Sequence, residues 1–168
     1  WIVDPGSQKL WFGQGRIDWL RMRVIHTTPK KKARTAPFYE SQFVTGCALL
    51  IKRALIEEVG YLDERFFLYY EDADLSHRAR QAGFRALVVP PARVMHREQS
   101  QENPEKLYFL VYSGLLFFQK QATWWQKPYF FLYTMVRRGK NMFDLLQRKD
   151  EAPLVRRAYT DFEQSLHE

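Results

Sequence analysis

Between residues 43 and 96, short apolar runs alternate with helical patterns, and this alternation constrains the fold more than any other feature of the chain. Glycine ends both helical patterns, at Gly60 and Gly83. The predicted elements are a strand, a helix, a helix and a strand: Ala48–Ile51, Ala54–Val59, Asp72–Ala82 and Ala86–Val89. Short helices between strands are typical of an α/β domain with a parallel or mixed sheet.

The pattern changes after residue 102, and residues 103–168 are predicted to be helical. Asn103 is a typical N-cap residue, and Pro104 suits the first helical position. The segment 107–118 is apolar nearly all round, so we expect it to be buried on most sides. A second helix is predicted to begin at Pro128. It carries one apolar stripe at helical spacing, made of Leu132, Met135, Val136, Phe143 and Leu146.

The composition limits the classes of protein and partner. The chain has 26 Lys and Arg against 19 Asp and Glu, a net charge of +7, so we expect anionic partners such as nucleotides, phosphates or acidic lipids. Its single cysteine, Cys47, excludes an intramolecular disulfide and is typical of a reducing compartment. The longest uncharged run, Leu107–Gln119, is shorter than the roughly 20 residues that span a bilayer, so no transmembrane helix is expected.

The densest group of reactive side chains is the acidic cluster Glu71-Asp72-Ala73-Asp74, which follows the aromatic segment Phe66–Tyr70, predicted to be extended. Three carboxylates so close together repel one another unless a cation, a base or helix N-terminal amides compensate. Helix N-capping is the plain structural alternative, but it needs only one acid. Asp72 and Asp74 point roughly 200° apart on a helix, which argues against a chelating DxD motif. We therefore predict that Asp74 supports the fold by pairing with Arg78 at i+4.

Several short segments within residues 1–120 resemble family 2 glycosyltransferases in order and spacing, in particular the bacterial rhamnosyltransferase-like members. The segments are Trp11–Gly15, Val44–Ile51, Glu58–Phe67, Tyr70–Leu75, Arg78, Ala82–Phe84, Val89–Pro90 and His96. The first is similar to a Trp-x-x-Gly-Gly segment, with Gln14 in place of its first Gly. The resemblance implies the acceptor-side, carboxy-terminal half of a GT-A catalytic domain over residues 1–102. This half would be α/β with a mixed sheet, followed by a helical region over residues 103–168.

The same resemblance implies a transfer chemistry for the acidic cluster. In such enzymes the Asp of the Glu-Asp pair deprotonates the acceptor hydroxyl, so Asp72 would be the general base, and Glu71 would orient the acceptor or the base. Thr45, Gly46 and Trp11 would bind substrate, the first two on the acceptor side of the cleft. The implied reaction moves a sugar from a nucleotide-sugar donor to a hydroxyl of a glycan or lipid-linked acceptor. It would proceed with inversion, in cell-surface polysaccharide synthesis.

The resemblance also implies a divalent metal cofactor, Mg²⁺ or Mn²⁺, that stabilises charge on the leaving nucleoside diphosphate. His96, after the last predicted core strand, would complete the metal and diphosphate site. The main metal-binding acids and the nucleotide-binding half are expected before Trp1, so we expect a fragment that is inactive by itself. The family often has an Arg-Asn pair where this sequence has Tyr112-Ser113. The phosphate or acceptor contact that such a pair would make is therefore not expected here.

Residues 121–149 combine six basic residues and one acid with interleaved Trp, Tyr and Phe side chains. Such a helix suits an anionic membrane surface, which would place the protein in the cytoplasm at the inner face of the plasma membrane. Packing of the stripe on the catalytic domain, or on a second copy in an oligomer, is the open alternative. Two other functional classes also stay open. The protein could be an inactive glycosyltransferase-like protein, or a basic module that binds membrane or nucleic acid. No nucleic acid is expected, because no helix-turn-helix, RNP or zinc-ligand pattern is present.

Overall fold

The computed structural model describes residues 1–97, 103 and 105–167. The chain divides into two compact units: Trp1–Arg65 with Glu71–Gln99, and Phe66–Tyr70 with Ser100–Glu168. The predicted domain boundary at residue 102 lies outside the described residues, so it stays a prediction.

The described residues of the first unit form seven short strands and three helices. In chain order they are β1 (Ile2–Val3), β2 (Leu10–Phe12), β3 (Gln14–Asp18), β4 (Arg23–Thr27), α1 (Lys31–Arg34), β5 (Tyr39–Ser41), α2 (Arg53–Val59), α3 (Glu71–Gln81), β6 (Ala86–Val88) and β7 (Val94–Met95). Strand β1 pairs antiparallel with β2 and parallel with β7, while β3–β4 and β5–β6 are antiparallel pairs. The expected α/β class with a mixed sheet is confirmed.

Gly15 allows the β3–β4 hairpin to approach the chain at Phe43. The two residues form an isolated antiparallel bridge, and the Phe43 side chain is almost completely buried. A Cβ on Gly15 would lie 2.5 Å from the Phe43 ring and 2.6 Å from its carbonyl oxygen, so a larger residue would force the two segments apart. Close packing therefore explains the glycine that ends the segment Trp11–Gly15.

The ends of the two predicted helices are confirmed. Helix α2 is followed directly by Gly60 with a φ of 78°. Helix α3 ends at Gln81, one residue before its predicted end, and Gly83, with a φ of 84°, lies in the turn just after it. Both angles lie in the left-handed region, which glycine adopts without steric cost at a helix end. Helix α3 begins at Glu71, one residue before the predicted start, and β6 ends one residue before its predicted end.

Two predicted extended segments are wrong. Ala48–Ile51 forms no strand, and Leu50 is fully exposed, because no described strand pairs with this apolar run. Phe66–Tyr70 is a bend in which Tyr69 and Tyr70 both have positive φ. Contacts within the second unit stabilise this bend, since Ser113 Oγ donates a hydrogen bond to the Leu68 carbonyl at 2.7 Å and the buried Tyr70 ring packs on other aromatic rings.

The described part of the second unit is built from three helices, α4 (Lys106–Gln121), α5 (Lys127–Leu146) and α6 (Ala152–Gln164). Its core contains Leu115 of α4 with Tyr159 and Phe162 of α6. The expected burial of α4 is confirmed for its second half, residues 113–118, whereas the first half is only partly buried. The start of α5 is one residue from the prediction, and α6 was not predicted as a separate helix.

The Asn103 side chain accepts a hydrogen bond from the Glu105 N–H at 2.9 Å, just before α4 begins. This contact is of the kind expected of a capping residue, although α4 itself starts at Lys106. Pro104 lies outside the described residues. None of the described helices combines the length and the apolar character needed to cross a bilayer.

The predicted pair of Asp74 and Arg78 is confirmed. The Asp74 carboxylate is completely buried and lies 2.8 Å from the Arg78 guanidinium, whose side chain is 17% exposed. Arg78 also donates hydrogen bonds to the carbonyls of Val59 and Tyr61, at and just beyond the end of α2. One buried ion pair therefore joins α3 to α2 and to the turn that follows it.

Replacing Asp74 with Asn should lower the free energy of unfolding by about 3 kcal/mol, because a partly buried guanidinium loses its charge partner. Urea unfolding followed by circular dichroism measures the change. Glu57→Gln is the matched control, since it breaks the i,i+4 pair between Arg53 and Glu57, which is exposed. That change should stay within about 0.5 kcal/mol. Equal losses in the two variants would contradict the role given to Asp74.

Candidate active site

The loop after Phe43 lies against the first turn of α3. The Val44 N–H donates to Ser76 Oγ at 3.3 Å, and the Gly46 N–H donates to Asp72 Oδ2 at 2.9 Å. The other carboxylate oxygen, Asp72 Oδ1, accepts from the Ala73 N–H at 2.7 Å. The Ala73 N–H is one of those that a helix start leaves unpaired, and together with the loop N–H of Gly46 it holds the Asp72 carboxylate in one orientation.

Opposing effects act on the pKa of Asp72. Burial raises the pKa, because a low-dielectric surrounding disfavours the carboxylate. The N–H groups of Gly46 and Ala73, the positive charge of His26 and the Thr45 hydroxyl lower it, but by less than burial raises it. The result is a carboxyl group with a raised pKa and a fixed geometry, which is what a general base needs.

Glu71 lies beside Asp72 and is less well compensated. Burial raises the pKa of Glu71, and the neighbouring Asp72 charge raises it further. Its Oε2 atom is buried and has no hydrogen-bond partner among the described residues. Its Oε1 atom would lie 3.9 Å from a Cβ placed on Gly46. A buried oxygen that accepts no hydrogen bond destabilises the folded state. This carboxyl group is therefore suited to accepting a hydrogen bond from a bound molecule.

A second group of side chains is centred on Trp11 in β2. The Trp11 ring centroid lies 4.9 Å from that of His26 and 4.9 Å from that of His96, both in edge-on geometry. His26 also contacts the Phe12 ring at 4.9 Å. His96 directly follows β7, and its N–H donates to the Val3 carbonyl at 2.9 Å. Backbone pairing between β7 and β1 therefore positions this histidine.

The structure brings the predicted site residues into these two groups, all within the first unit. Asp72, Glu71, Thr45 and Gly46 form one group, while Trp11 and His96 form the other. His26, which contacts Trp11 and whose charge acts on Asp72, relates the two groups to each other.

Sequence reasoning missed His26, because an isolated histidine in a basic stretch matches no motif. In β4 it is the partner of Gly15 in β3. Gly15 ends the segment Trp11–Gly15, so a residue paired with it would lie close to that segment. The hairpin register could therefore have identified His26, but only if the strand pairing had been known.

The first unit contains a cavity of about 760 Å³, whose walls are largely apolar. Thr45 and Ser76 line its edge, but neither Asp72 nor Glu71 does. The charged side chains that line it, Lys52 and Arg85, are basic, so among the described residues the cavity has no carboxylate that could act as a general base. We therefore take the carboxylate pair beside Gly46 to be the candidate reaction site, and not this cavity.

The described residues alone do not form a divalent-metal site. Within them, no group of three or more His, Cys, Asp or Glu side chains is arranged to hold a metal ion. His96 could supply one imidazole ligand, and its ring lies against Trp11. One imidazole by itself does not define a metal site.

Comparison with known proteins finds glycosyltransferases and glycan-biosynthesis proteins. The chain is 32% identical over 90 residues to an N-acetylglucosaminyl-diphospho-decaprenol L-rhamnosyltransferase of Mycobacterium tuberculosis, covering 51% of this chain and 29% of that protein. It is 42% identical over 36 residues to a low-salt glycan biosynthesis hexosyltransferase of Haloferax volcanii, covering 21% of this chain and 12% of that protein. An O-antigen biosynthesis protein of Myxococcus xanthus is 29% identical over 75 residues, which are 42% of this chain and 6% of that protein.

The chain thus spans less than a third of the length of these relatives. No family model matches the chain, and no solved structure matches it. The names of these relatives refer to glycosyl transfer or to glycan and O-antigen biosynthesis.

Replacing Glu71 with Gln should make the protein more stable relative to the wild type as the pH rises. Because the pKa of this carboxyl group is raised in the folded state, its ionisation costs folding energy. This cost is absent below the ordinary glutamate pKa of about 4.3 and grows as the pH rises through the raised value. Urea unfolding at pH 4 and pH 7 measures the effect.

Glu64→Gln is the control for that experiment, because Glu64 is an exposed acid of the same unit. Its difference from the wild type should change little between the two pH values. A difference for Glu71→Gln that is independent of pH, or that falls as the pH rises, would contradict the desolvation of this carboxyl group.

Proposed function

We propose that the chain is the acceptor-side part of an inverting family 2 glycosyltransferase with a GT-A fold. It would transfer a sugar from a nucleotide-sugar donor to a hydroxyl of a glycan or lipid-linked acceptor, in cell-surface polysaccharide synthesis. The observation that carries the proposal is the Glu71–Asp72 pair, buried at the start of α3 and fixed beside Gly46. The names of the relatives support the same reaction class.

In this mechanism Asp72 is the general base. Its carboxylate accepts the proton of the acceptor hydroxyl while that oxygen forms a bond to the anomeric carbon of the donor sugar. The bond from the anomeric carbon to the diphosphate breaks, and its electron pair leaves with the nucleoside diphosphate. The N–H groups of Gly46 and Ala73 hold the carboxylate in place and do not move during this step.

Glu71 orients the acceptor. Its buried Oε2 atom lacks a hydrogen-bond partner among the described residues and would accept a hydrogen bond from a second acceptor hydroxyl. Gly46 carries no side chain between the two carboxyl groups and the space beside them, so an acceptor hydroxyl can approach closely. Thr45 supports Asp72 through its hydroxyl, and Trp11 offers an aromatic face to a sugar ring.

The donor side of the proposal depends on His96. Its imidazole would contact the diphosphate and supply one ligand to a divalent ion, Mg²⁺ or Mn²⁺, whose other ligands would come from outside the described residues. When bound, the ion would stabilise negative charge on the leaving diphosphate. The proposed location is the cytoplasmic face of the plasma membrane, where a lipid-linked acceptor would be met.

Asp72→Asn in the full-length enzyme should reduce kcat by 10²-fold or more, because the amide cannot accept the hydroxyl proton. Donor binding should be unchanged. In the wild type, kcat/KM should rise with pH through a carboxyl pKa above the ordinary aspartate value of about 3.9, since burial raises the pKa of Asp72. Radiolabelled sugar transfer measures both quantities.

Asp63→Asn is a suitable control, because this aspartate pairs with the exposed Arg65 elsewhere in the chain. It should keep kcat within a few-fold of the wild type. Near-normal turnover of Asp72→Asn would remove Asp72 from the mechanism. A full-length protein that binds the donor and transfers no sugar to any acceptor tested would favour the inactive glycosyltransferase-like alternative.

His96→Ala should weaken metal-dependent binding of a nucleoside diphosphate by about tenfold or more and leave acceptor binding unchanged. Isothermal titration with the nucleoside diphosphate in the presence of Mn²⁺ measures this without any sugar transfer. Lys9→Ala provides a control at an exposed position of the same unit. Equal affinities of His96→Ala and the wild type would make His96 a purely structural residue.

A further inference from the structure

Helix α5 carries a broad apolar face that the other described helices of the second unit leave uncovered. We define this apolar face by seven exposed side chains: Phe131, Leu132, Met135, Val136, Met142, Phe143 and Leu146. Their exposed fractions run from 55% for Met135 to 80% for Leu146. It includes all five members of the stripe predicted from the sequence, and the other described helices of the second unit do not cover them.

The apolar face is continuous. At 100° per residue, its members fall within an arc of about 140° on the helix surface. The only other α5 residues in this arc are Pro128 and Gly139, so no charged side chain interrupts it. Seven large apolar side chains on one uncovered face exceed the scattered hydrophobic residues that are normal on a protein surface.

The opposite side of α5 is the side that packs within the second unit. Asn141, the buried residue of this helix, donates through Nδ2 to the Ala152 carbonyl at 3.0 Å. The Phe130 ring contacts that of Phe162 in α6, with centroids 6.3 Å apart. Contacts with α6 therefore fix the orientation of α5 and turn its apolar face outward.

Positive charge borders the apolar face on both sides. Lys127 and Arg138 lie along one edge, and Lys140 lies along the other, at about 20° to 40° from the nearest member of the face. Trp124 and Trp125, in the turn before α5, are 84% and 62% exposed. An apolar helix face with basic edges and adjacent tryptophans is typical of a helix that lies in a membrane interface.

We propose that the apolar face of α5 is a docking surface for an anionic lipid bilayer. The helix would lie in the plane of the interface, with the apolar face among the acyl chains and the basic edges at the anionic headgroups. This inference rests on the membrane location in the proposed function, and it names the side chains that would bind the membrane.

A second copy of the chain suits this surface less well. Two-fold pairing of apolar faces would bring the bordering basic residues of each copy close to those of the other copy. Because Arg138 and Lys140 already have carboxylate partners, the opposition of like charges would come mainly from Lys127. Lysine is also depleted in protein interfaces. Anionic headgroups, in contrast, compensate the same basic edges.

The ion pairs of α5 determine which substitutions can test the proposal. Arg138 pairs with Glu163 of α6, and Lys140 pairs with Asp144. Arg137 contacts the Tyr159 hydroxyl. Reversing these basic residues would disturb the packing of α5 on α6 as well as the charge, so the test should change the apolar face instead.

The test compares the wild type with the double variant Leu132→Glu and Val136→Glu, which places two charges on the exposed apolar face. The matched control is Thr160→Glu with Gln164→Glu, which makes the same change in net charge at exposed positions of α6. Each protein is sedimented with vesicles of phosphatidylglycerol and phosphatidylcholine, or of phosphatidylcholine alone, at low and high salt. Circular dichroism confirms that each variant is folded.

We expect the wild type to bind the anionic vesicles at least tenfold more tightly than the neutral ones, and less tightly at high salt. The α5 variant should lose at least tenfold of that binding, whereas the α6 control should lose only a few-fold. Equal losses in the two variants would overturn the assignment of the face, because they would show that net charge alone decides binding.

A wild-type protein that does not sediment with anionic vesicles would overturn the proposal. If that protein were also a dimer that the α5 variant converts to a monomer in analytical ultracentrifugation, the face would belong to a second copy. Vesicle binding is read without any sugar transfer. A full-length enzyme that binds vesicles but transfers no sugar to any acceptor tested would therefore contradict the proposed function and support this inference.

Discussion

The first turn of α3 holds three carboxyl groups, and the arrangement of the first unit depends on how each of them is compensated. Asp74 is buried and neutralised by Arg78, which also joins α3 to the end of α2. Asp72 is held by two backbone N–H groups, one of them from Gly46 in the preceding loop. Glu71 retains a buried oxygen with no partner among the described residues. The fold therefore compensates Asp74 and Asp72 more fully than Glu71, which is the group that the proposed acceptor would contact.

This division explains how one short helix can serve both structure and chemistry. A buried ion pair such as Asp74–Arg78 gives α3 a fixed position, and that position determines where Asp72 and Glu71 lie. The pKa values of both these acids are raised by burial, so their ionised forms are stronger bases than exposed carboxylates and less favourable for folding. Local rules of stability are broken most often where a protein binds or reacts.

The sequence predicted features that depend on neighbours along the chain. The pairing of Asp74 with Arg78 follows from i+4 spacing, and the helix ends follow from Gly60 and Gly83. Predictions from the sequence were wrong where a residue distant along the chain determines the local structure. Ala48–Ile51 has the composition of a strand but no described strand beside it. His26 reaches the site only through the register of the β3–β4 hairpin, which no local pattern specifies.

Helix α5 shows the same limit in a different form. Periodicity identifies an apolar stripe, and the usual inference is that the stripe faces the core. In α5 the side that packs on α6 includes the buried amide of Asn141, whose hydrogen bond to the Ala152 carbonyl compensates its burial. Once this contact fixes the rotation of the helix, the apolar face must point outward. An amphipathic pattern therefore indicates that a helix has two different environments, and only tertiary contacts show which of them lies inside the chain.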